Sequence, residues 1–325
     1  MRAAGLMGFV ALLLLPGLAR AQTVWEMPTE YPATAIPGEG VTAFSEAVNR
    51  NAGGRLVIKP SFDAASGIRS AQMLAAVRDR KVVVGDAFGG ALGGVHPVFA
   101  LSSQPFLATS VAEADALARL ARPLYEKTLA GFGQKLLYTT PWPASGIWSR
   151  TPVNSAADLT ALRIRTYDAT STTVLGASGA SATNLSFADV MPKLQDGSMT
   201  AILSSGDGGA GRKLWEFLPH FAEINYALPL SFATINLAAY EALPPDLRQV
   251  IDKAAAETEV RQWGAMTTRL AENYARMRAN QVVIAAPAPA EVMAALKTAA
   301  GPAIDKWAAE TGPDGEAVLK AFRAR

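Results

Sequence analysis

The chain of 325 residues contains no cysteine, which removes disulfide scaffolds, thiol nucleophiles, iron–sulfur clusters and every zinc site built on thiolates. Histidine is almost as scarce. His96 and His220 are the two present, too far apart in sequence to suggest a metal cage or a Ser-His-Asp relay, and both read as structural or surface residues. Charge is sparse and balanced, with 30 Lys plus Arg against 28 Asp plus Glu and a formal charge of +2. That leaves no dense basic face of the kind that displaces counterions from nucleic-acid phosphates. After the first twenty or so residues, no uncharged apolar run reaches the roughly 20 residues that span a bilayer. Internal repeats and low-complexity tracts are also missing. What remains is enough chain for about two domains of ~150 residues, each able to bury a core without staples.

The first residues read as a secretory signal. Met1 and Arg2 supply a positive start, Ala3 to Leu18 is almost wholly apolar, and Ala19-Arg20-Ala21 places small residues before Gln22. The expectation is a signal peptide over residues 1–21, cleaved near Ala21, and a soluble exported protein; a Cys-free chain is indifferent to an oxidising compartment. Without a cysteine after the small residues, a lipoprotein anchor is unavailable. Arg2 and Arg20 account for the whole charge excess, so the pI near 8.8 describes the precursor and the mature body is neutral.

Beyond this segment, short β-branched runs alternate with amphipathic helical stretches, the pattern of an α/β fold with largely parallel sheets. The spacing predicts strands at Thr23 to Met27, Arg55 to Lys59, Val82 to Val84 and Lys135 to Thr140. Helices are predicted from about Gly40 to Asn51, Ser70 to Arg80 and Ser110 to Phe132, with a flexible loop over Gly85 to Gly94. Trp142-Pro143-Ala144-Ser145-Gly146 breaks the series. A second series then predicts strands at Leu162 to Thr166, Thr200 to Ser204 and Glu223 to Ala227, and a helix over Phe187 to Gln195. Pro244-Pro245-Asp246 is a strong helix start. The helical pattern after it runs to about Asn280, near 50 Å of helix, longer than one small domain is wide.

Two local features carry chemistry. Gly206-Asp207-Gly208-Gly209-Ala210-Gly211 matches G-x-G-x-x-G between a predicted strand and helix. The following helix is short, no acid ends the next strand, and Arg212-Lys213 stands where a phosphate loop needs Lys-Ser or Lys-Thr. The motif therefore reads as a glycine-rich turn and not a nucleotide site. In Leu162-Arg163-Ile164-Arg165-Thr166, strand alternation puts Arg163 and Arg165 on one face. Two arginines there must either reach solvent or meet an anion.

The run Asp158-Leu159-Thr160-Ala161-Leu162-Arg163-Ile164-Arg165 is followed by Gly179-Ala180, Leu185-Ser186-Phe187-Ala188-Asp189-Val190 and Leu194-Gln195-Asp196-Gly197. Together these resemble the core signature of the substrate-binding proteins of TRAP transporters, the DctP-type periplasmic receptors. Asn236-Leu237 and Tyr240 through Leu247 resemble the family's segment leading into its long helix. Phe44, Gly53-Gly54-Arg55-Leu56 and Pro105-Phe106-Leu107 match its N-terminal half. The similarity covers nearly all of the mature chain in order.

The resemblance implies a two-lobed periplasmic-binding-protein-like α/β fold with a cleft between the lobes and a long helix bracing both. Lobe I would comprise residues 22–142 plus about 232–272, and lobe II residues 143–231 plus about 273–325. It implies a receptor that closes on an organic acid and delivers it to the membrane permease subunits of a TRAP transporter. The family's carboxylate-binding arginine falls on Arg165, whose planar fork suits a carboxylate. Family members commonly carry an Asp-Gly-Gln-Glu-Asn-like stretch where this chain reads Thr200-Ala201-Ile202-Leu203-Ser204-Ser205. The Gln-Glu pair, which in some relatives helps to hold a metal ion or a polar substrate, is absent, so a metal-assisted mode is not expected and no cofactor is implied. Ser204, Ser205 and the N–H groups at Gly206 to Gly208 would favour an anion. Trp25, Tyr31, Phe88, Gly89, Trp148 and Tyr226 fall at predicted strand ends or adjoining loops, with Trp142, and Phe187 is cleft-facing by family analogy. The expected ligand is a monocarboxylate with an apolar or aromatic body, held by these residues together with Arg165, Ser204, Ser205, Gly206 and Asp207. Two rivals remain: a ligand-presenting sensor of the same fold, and an exported enzyme using Asp207 as a general base.

Overall fold

The computed structural model describes residues 22–325; the expected signal segment, residues 1–21, lies outside them. In chain order the strands are β1 (Thr23–Pro28), β2 (Leu56–Ser61), β3 (Val84–Phe88), β4 (Gln134–Pro141), β5 (Ser145–Ser149), β6 (Arg163–Thr166), β7 (Ser181–Asn184), β8 (Ala201–Ser205), β9 (His220–Ala222), β10 (Leu230–Asn236) and β11 (Val283–Ala285). One body contains the parallel pair β1-β2 and the antiparallel sheet β3-β10-β4. The other is built on a six-stranded mixed sheet in the order β11-β9-β5-β8-β6-β7. The chain passes from the first to the second after β4 and returns at β10, which inserts between β3 and β4 with both faces buried.

The helix Pro245–Ala279 braces both bodies. Its first half sends Leu247, Ile251, Ala254 and Ala255 into the core around Phe44 and Tyr138. Its second half sends Met266, Tyr274 and Met277 into the core that contains Trp148 and Phe221. Pro at its start costs nothing, because the N–H that proline lacks has no intrahelical partner there.

Five expectations need correction. The sheets are not largely parallel, because the crossings between the bodies bring β10 in antiparallel to β3 and β4, and β5 antiparallel to β8 and β9. The first helix starts at Ile36, not near Gly40, because the Asp207 carboxylate reaches across to accept the Ile36 N–H at 2.8 Å and caps it. The strand expected at Val82 to Val84 occupies Val84–Phe88 instead, after Arg80 turns the chain with φ 55°. Gly85 to Gly94, expected as a flexible loop, is strand followed by the short helix Gly89–Leu92. Its glycines serve packing: a Cβ on Gly85 would stand 2.5 Å from Met73 Sδ. Glu223 to Ala227 is not a strand of a sheet but a buried crossing between the bodies, tied by Tyr226 N–H to Ser145 O at 2.9 Å and Phe106 N–H to Tyr226 O at 2.7 Å.

Candidate ligand-binding cleft

The two arginines on one face of β6 meet different fates. Arg163, at the exposed end, donates to Ser198 O at 2.8 Å and Gly197 O at 2.9 Å, tying down a surface turn. Arg165 is 4 % exposed. Its Nε donates to Leu185 O at 2.8 Å and its Nη1 to Leu203 O at 3.3 Å, while its guanidinium carbon lies 5.1 Å from the Phe187 ring centroid. It forms no ion pair with any described residue. Burial pulls its pKa below the ordinary arginine value, with nearby Tyr31, Glu30, Tyr167 and Asp168 acting in the opposite sense. The side chain is thus a desolvated cation oriented by neutral carbonyls, an arrangement whose cost an incoming anion would offset.

Arg165 faces a small cavity between the two bodies. From the first body come Tyr31, Phe88 and Trp142; from the second come Ser145, Tyr167, Phe187, Ser204, Ser205 and Gly208, with Pro229 from the crossing segment. The aromatic wall is interlocked. Trp142 meets Tyr31 edge-on at 4.7 Å and Phe88 at 6.2 Å, and Phe88 meets Tyr167 at 5.2 Å. Trp142 Nε1 donates to Ser231 Oγ at 3.0 Å, which fixes the indole. One apolar cluster runs through these residues from body to body, so the cleft is closed.

The polar groups are mostly neutral donors. Burial raises the pKa of the Tyr31 and Tyr167 phenols, so both keep their protons at neutral pH. Ser205 caps the helix Gly206–Gly211 by accepting the Gly208 N–H at 3.1 Å. A Cβ at Gly208 would fall 2.5 Å from Ser204 Oγ, so glycine is required for that hydroxyl to reach the cavity. Asp168 caps the helix Ala169–Ala177 through Oδ1, which accepts from Ser171 N and Oγ at 2.6 Å. Its Oδ2 has no partner among the described residues, and burial pushes its carboxyl up to about 6.

Of the expected site residues, Arg165, Tyr31, Phe88, Phe187, Ser204 and Ser205 come together around the cavity. The remaining six lie off its lining. Trp25 is on β1, packed at the margin of the Phe44 core. Trp148 is fully buried behind the site, where its Nε1 donates to Ser205 O at 3.1 Å and supports the end of β8. Tyr226 is buried one layer down, edge-on to Tyr167 at 6.4 Å and Phe106 at 5.6 Å. Gly89 permits close packing, since a Cβ there would be 2.7 Å from Phe232. Gly206 abuts Met277, and Asp207 pairs with Arg269 at 2.5 Å. Trp142, expected among the strand-end aromatics, and Gly208, expected among the anion-favouring N–H groups, also line the cavity, whereas sequence reasoning left out Ser145, Tyr167 and Pro229 as contacts. Tyr167 was within reach of it, because alternation places residues 163, 165 and 167 on one side of β6 and its extension.

Two lobes shut on an aromatic-walled cavity around one buried, unpaired arginine define a cleft-type solute receptor. The profile of the DctP family, described as bacterial extracellular solute-binding protein, family 7, matches residues 28–311, and the chain belongs to that family. Among solved structures it is similar to DctP7 of Bordetella pertussis, an extracytoplasmic solute receptor binding pyroglutamic acid. The two are 28% identical with a TM-score of 0.89, covering 93% of this chain and 99% of the other. DctP6 of the same organism, also binding pyroglutamic acid, matches at 28% identity and TM-score 0.88, over 93% and 100% of the chains. A TRAP solute-binding protein from a marine metagenome, specific for pyroglutamate, gives 28% identity, TM-score 0.88 and coverage of 94% and 100%. Among the described residues, no helix is long and apolar enough to cross a membrane.

Proposed function

We propose that the chain is a periplasmic TRAP-type receptor that closes on a small organic acid, a monocarboxylate with an apolar or aromatic body, and delivers it to membrane permease subunits. The observation that carries this reading is Arg165: buried, without an ion pair, and facing a cavity whose other polar groups are hydroxyls. A carboxylate docked on its free N–H groups forms charge-assisted bonds worth about 1.5 to 3 kcal/mol each once water is shut out. The aromatic wall of Tyr31, Phe88, Trp142 and Phe187 suits a compact ring. Ser145, Tyr167, Ser204 and Ser205 offer hydroxyls to its polar edge. Pyroglutamate, the ligand of the relatives at 28% identity, combines one carboxylate, a five-membered ring and a lactam edge, and is the first compound to test. Lobe I comprises residues 22–142 plus about 232–272 and lobe II residues 143–231 plus about 273–325, closing about the crossing segments. The protein binds without turnover: Asp207, the candidate base, is committed to Arg269.

The test is a thermal-shift screen of purified protein against aliphatic, aromatic and lactam carboxylates. A ligand of the folded state alone stabilises by RT ln(1 + [L]/Kd), about 2.7 kcal/mol at a hundredfold excess over Kd. Stabilisation by compact monocarboxylates and not by their amides is the expected result. A panel in which amides and acids stabilise equally would overturn the reading.

A further inference from the structure

We infer that Glu30 is a positioning residue, a carboxylate clasp that spans the cleft, fixes Phe187 over Arg165 and sets how long a bound ligand is held. The ligand part of this inference rests on the function proposed above.

Glu30 follows β1, immediately before Tyr31 of the cavity, and is 3 % exposed. Its Oε2 accepts the Ser70 N–H at 2.9 Å. Its Oε1 accepts the Phe187 N–H at 2.9 Å and, more weakly, the Ala188 N–H at 3.4 Å. These donors open the helices Ser70–Arg78 and Phe187–Gln195, which stand on opposite sides of the cleft. The first N–H groups of any helix have no intrahelical acceptor. At Phe187–Gln195, Ser186 Oγ accepts the Asp189 N–H at 3.1 Å, leaving the first two N–H groups to Glu30. One carboxylate thus completes two helix termini, a placement the helix dipoles favour for a negative charge.

The backbone of Glu30 is held from the same side. Arg212 Nη2 donates to Glu30 O at 2.7 Å and pairs with Asp63 at 3.3 Å. The Phe187 ring is in reach of two guanidiniums, its centroid 5.1 Å from Arg165 Cζ and 5.1 Å from Arg212 Cζ. Phe187 is thereby fixed through its N–H by Glu30 and through its ring by both arginines. A second bridge, Arg69 to Asp189 at 3.0 Å, is substantially exposed, and exposed pairs contribute little. Opening the cleft strips Glu30 of its Phe187 and Ala188 donors, so these bonds belong to the closed state alone. Their loss should speed dissociation and leave association nearly untouched.

The experiment compares wild type, Glu30→Gln, Glu30→Ala and the control Arg69→Ala, each confirmed folded by circular dichroism, with L-pyroglutamate as the probe. The two Glu30 variants differ in what they keep. In Glu30→Gln the amide retains one acceptor but turns an N–H towards either Ser70 or Phe187, and in Glu30→Ala both acceptors are gone. Stopped-flow Trp fluorescence should show dissociation about 10- to 100-fold faster in both Glu30 variants, the effect of losing a charge-assisted bond. Association should stay within about threefold of wild type, as should both rates in Arg69→Ala. Unchanged dissociation in Glu30→Gln and Glu30→Ala overturns the inference, as does a loss confined to association. If wild type does not bind the probe, the choice of ligand fails, and the same rates are measured with the compact monocarboxylate that most stabilises wild type in the thermal-shift screen. Faster dissociation of that acid from both Glu30 variants supports the clasp, and equal dissociation overturns it.

Discussion

Arg269 of the long helix donates through Nε to Asp207 Oδ1 at 2.5 Å, in a pair where Asp207 is fully buried. Asp207 Oδ2 accepts the Ile36 N–H, and Arg269 also donates to Glu39 Oε1 at 3.0 Å and Thr34 O at 3.1 Å. Burial would lower the Arg269 pKa, but the two carboxylates outweigh it and the guanidinium is raised. The acid of the glycine-rich turn is therefore an anchor joining both lobes to the brace. Asp207→Ala strands Arg269 and uncaps the first helix, and should destabilise by about 3 to 5 kcal/mol in chemical denaturation. A change within about 0.5 kcal/mol, the range of an ordinary surface substitution, would contradict the anchor.

The glycines beside it answer to packing. A Cβ on Gly209 would lie 2.2 Å from the Trp148 ring, whereas one on Gly264, in the long helix, meets nothing within 4 Å. Gly209→Ala should cost about 1 to 3 kcal/mol through overpacking. Gly264→Ala should gain up to about 1 kcal/mol from helix propensity. Paired thermal melts check both signs.

Asp86 gives stability a pH dependence of stated direction. It is fully buried on β3, accepts from Thr29 Oγ1 at 2.8 Å, and leaves Oδ2 without a partner among the described residues. Burial, partly offset by the Thr29 bond, pushes its carboxyl from 3.8 up to about 7. Between those values the folded protein holds a proton that the unfolded chain has released, so stability falls as pH rises through this window. Its contribution is complete below about pH 4 and lost above about pH 7, at most about 4 kcal/mol. Asp86→Asn keeps the Thr29 bond and cannot ionise. It should exceed wild type in melting temperature at pH 8, with the gap closing towards pH 4; a constant gap would contradict the assignment.

Much of this was legible in residue order where neighbours in sequence decide the outcome. Pro244-Pro245-Asp246 announced the long helix, which runs Pro245–Ala279, and the alternation of β6 separated Arg165 from Ile164. Three-dimensional neighbours decide the rest. β10 is a strand because β3 and β4 flank it from distant parts of the chain, and Glu223 to Ala227 is buried between lobes and not paired in a sheet. Trp142 and Trp148 look alike in sequence. Only the close approach of Gly209 shows that Trp148 is sealed behind the site while Trp142 faces the cavity. Glu30, a lone acid in a proline-rich loop, gains its role from two helix ends 40 and 157 residues away.

The account turns on Arg165 as the carboxylate anchor, and isothermal titration of L-pyroglutamate into wild type, Arg165→Lys and Arg165→Ala tests that most directly. Lysine keeps the charge but loses the planar fork. The prediction is binding in wild type, weakening of at least about tenfold in Arg165→Lys, and no measurable heat in a folded Arg165→Ala. Wild-type affinity in Arg165→Ala would contradict the account.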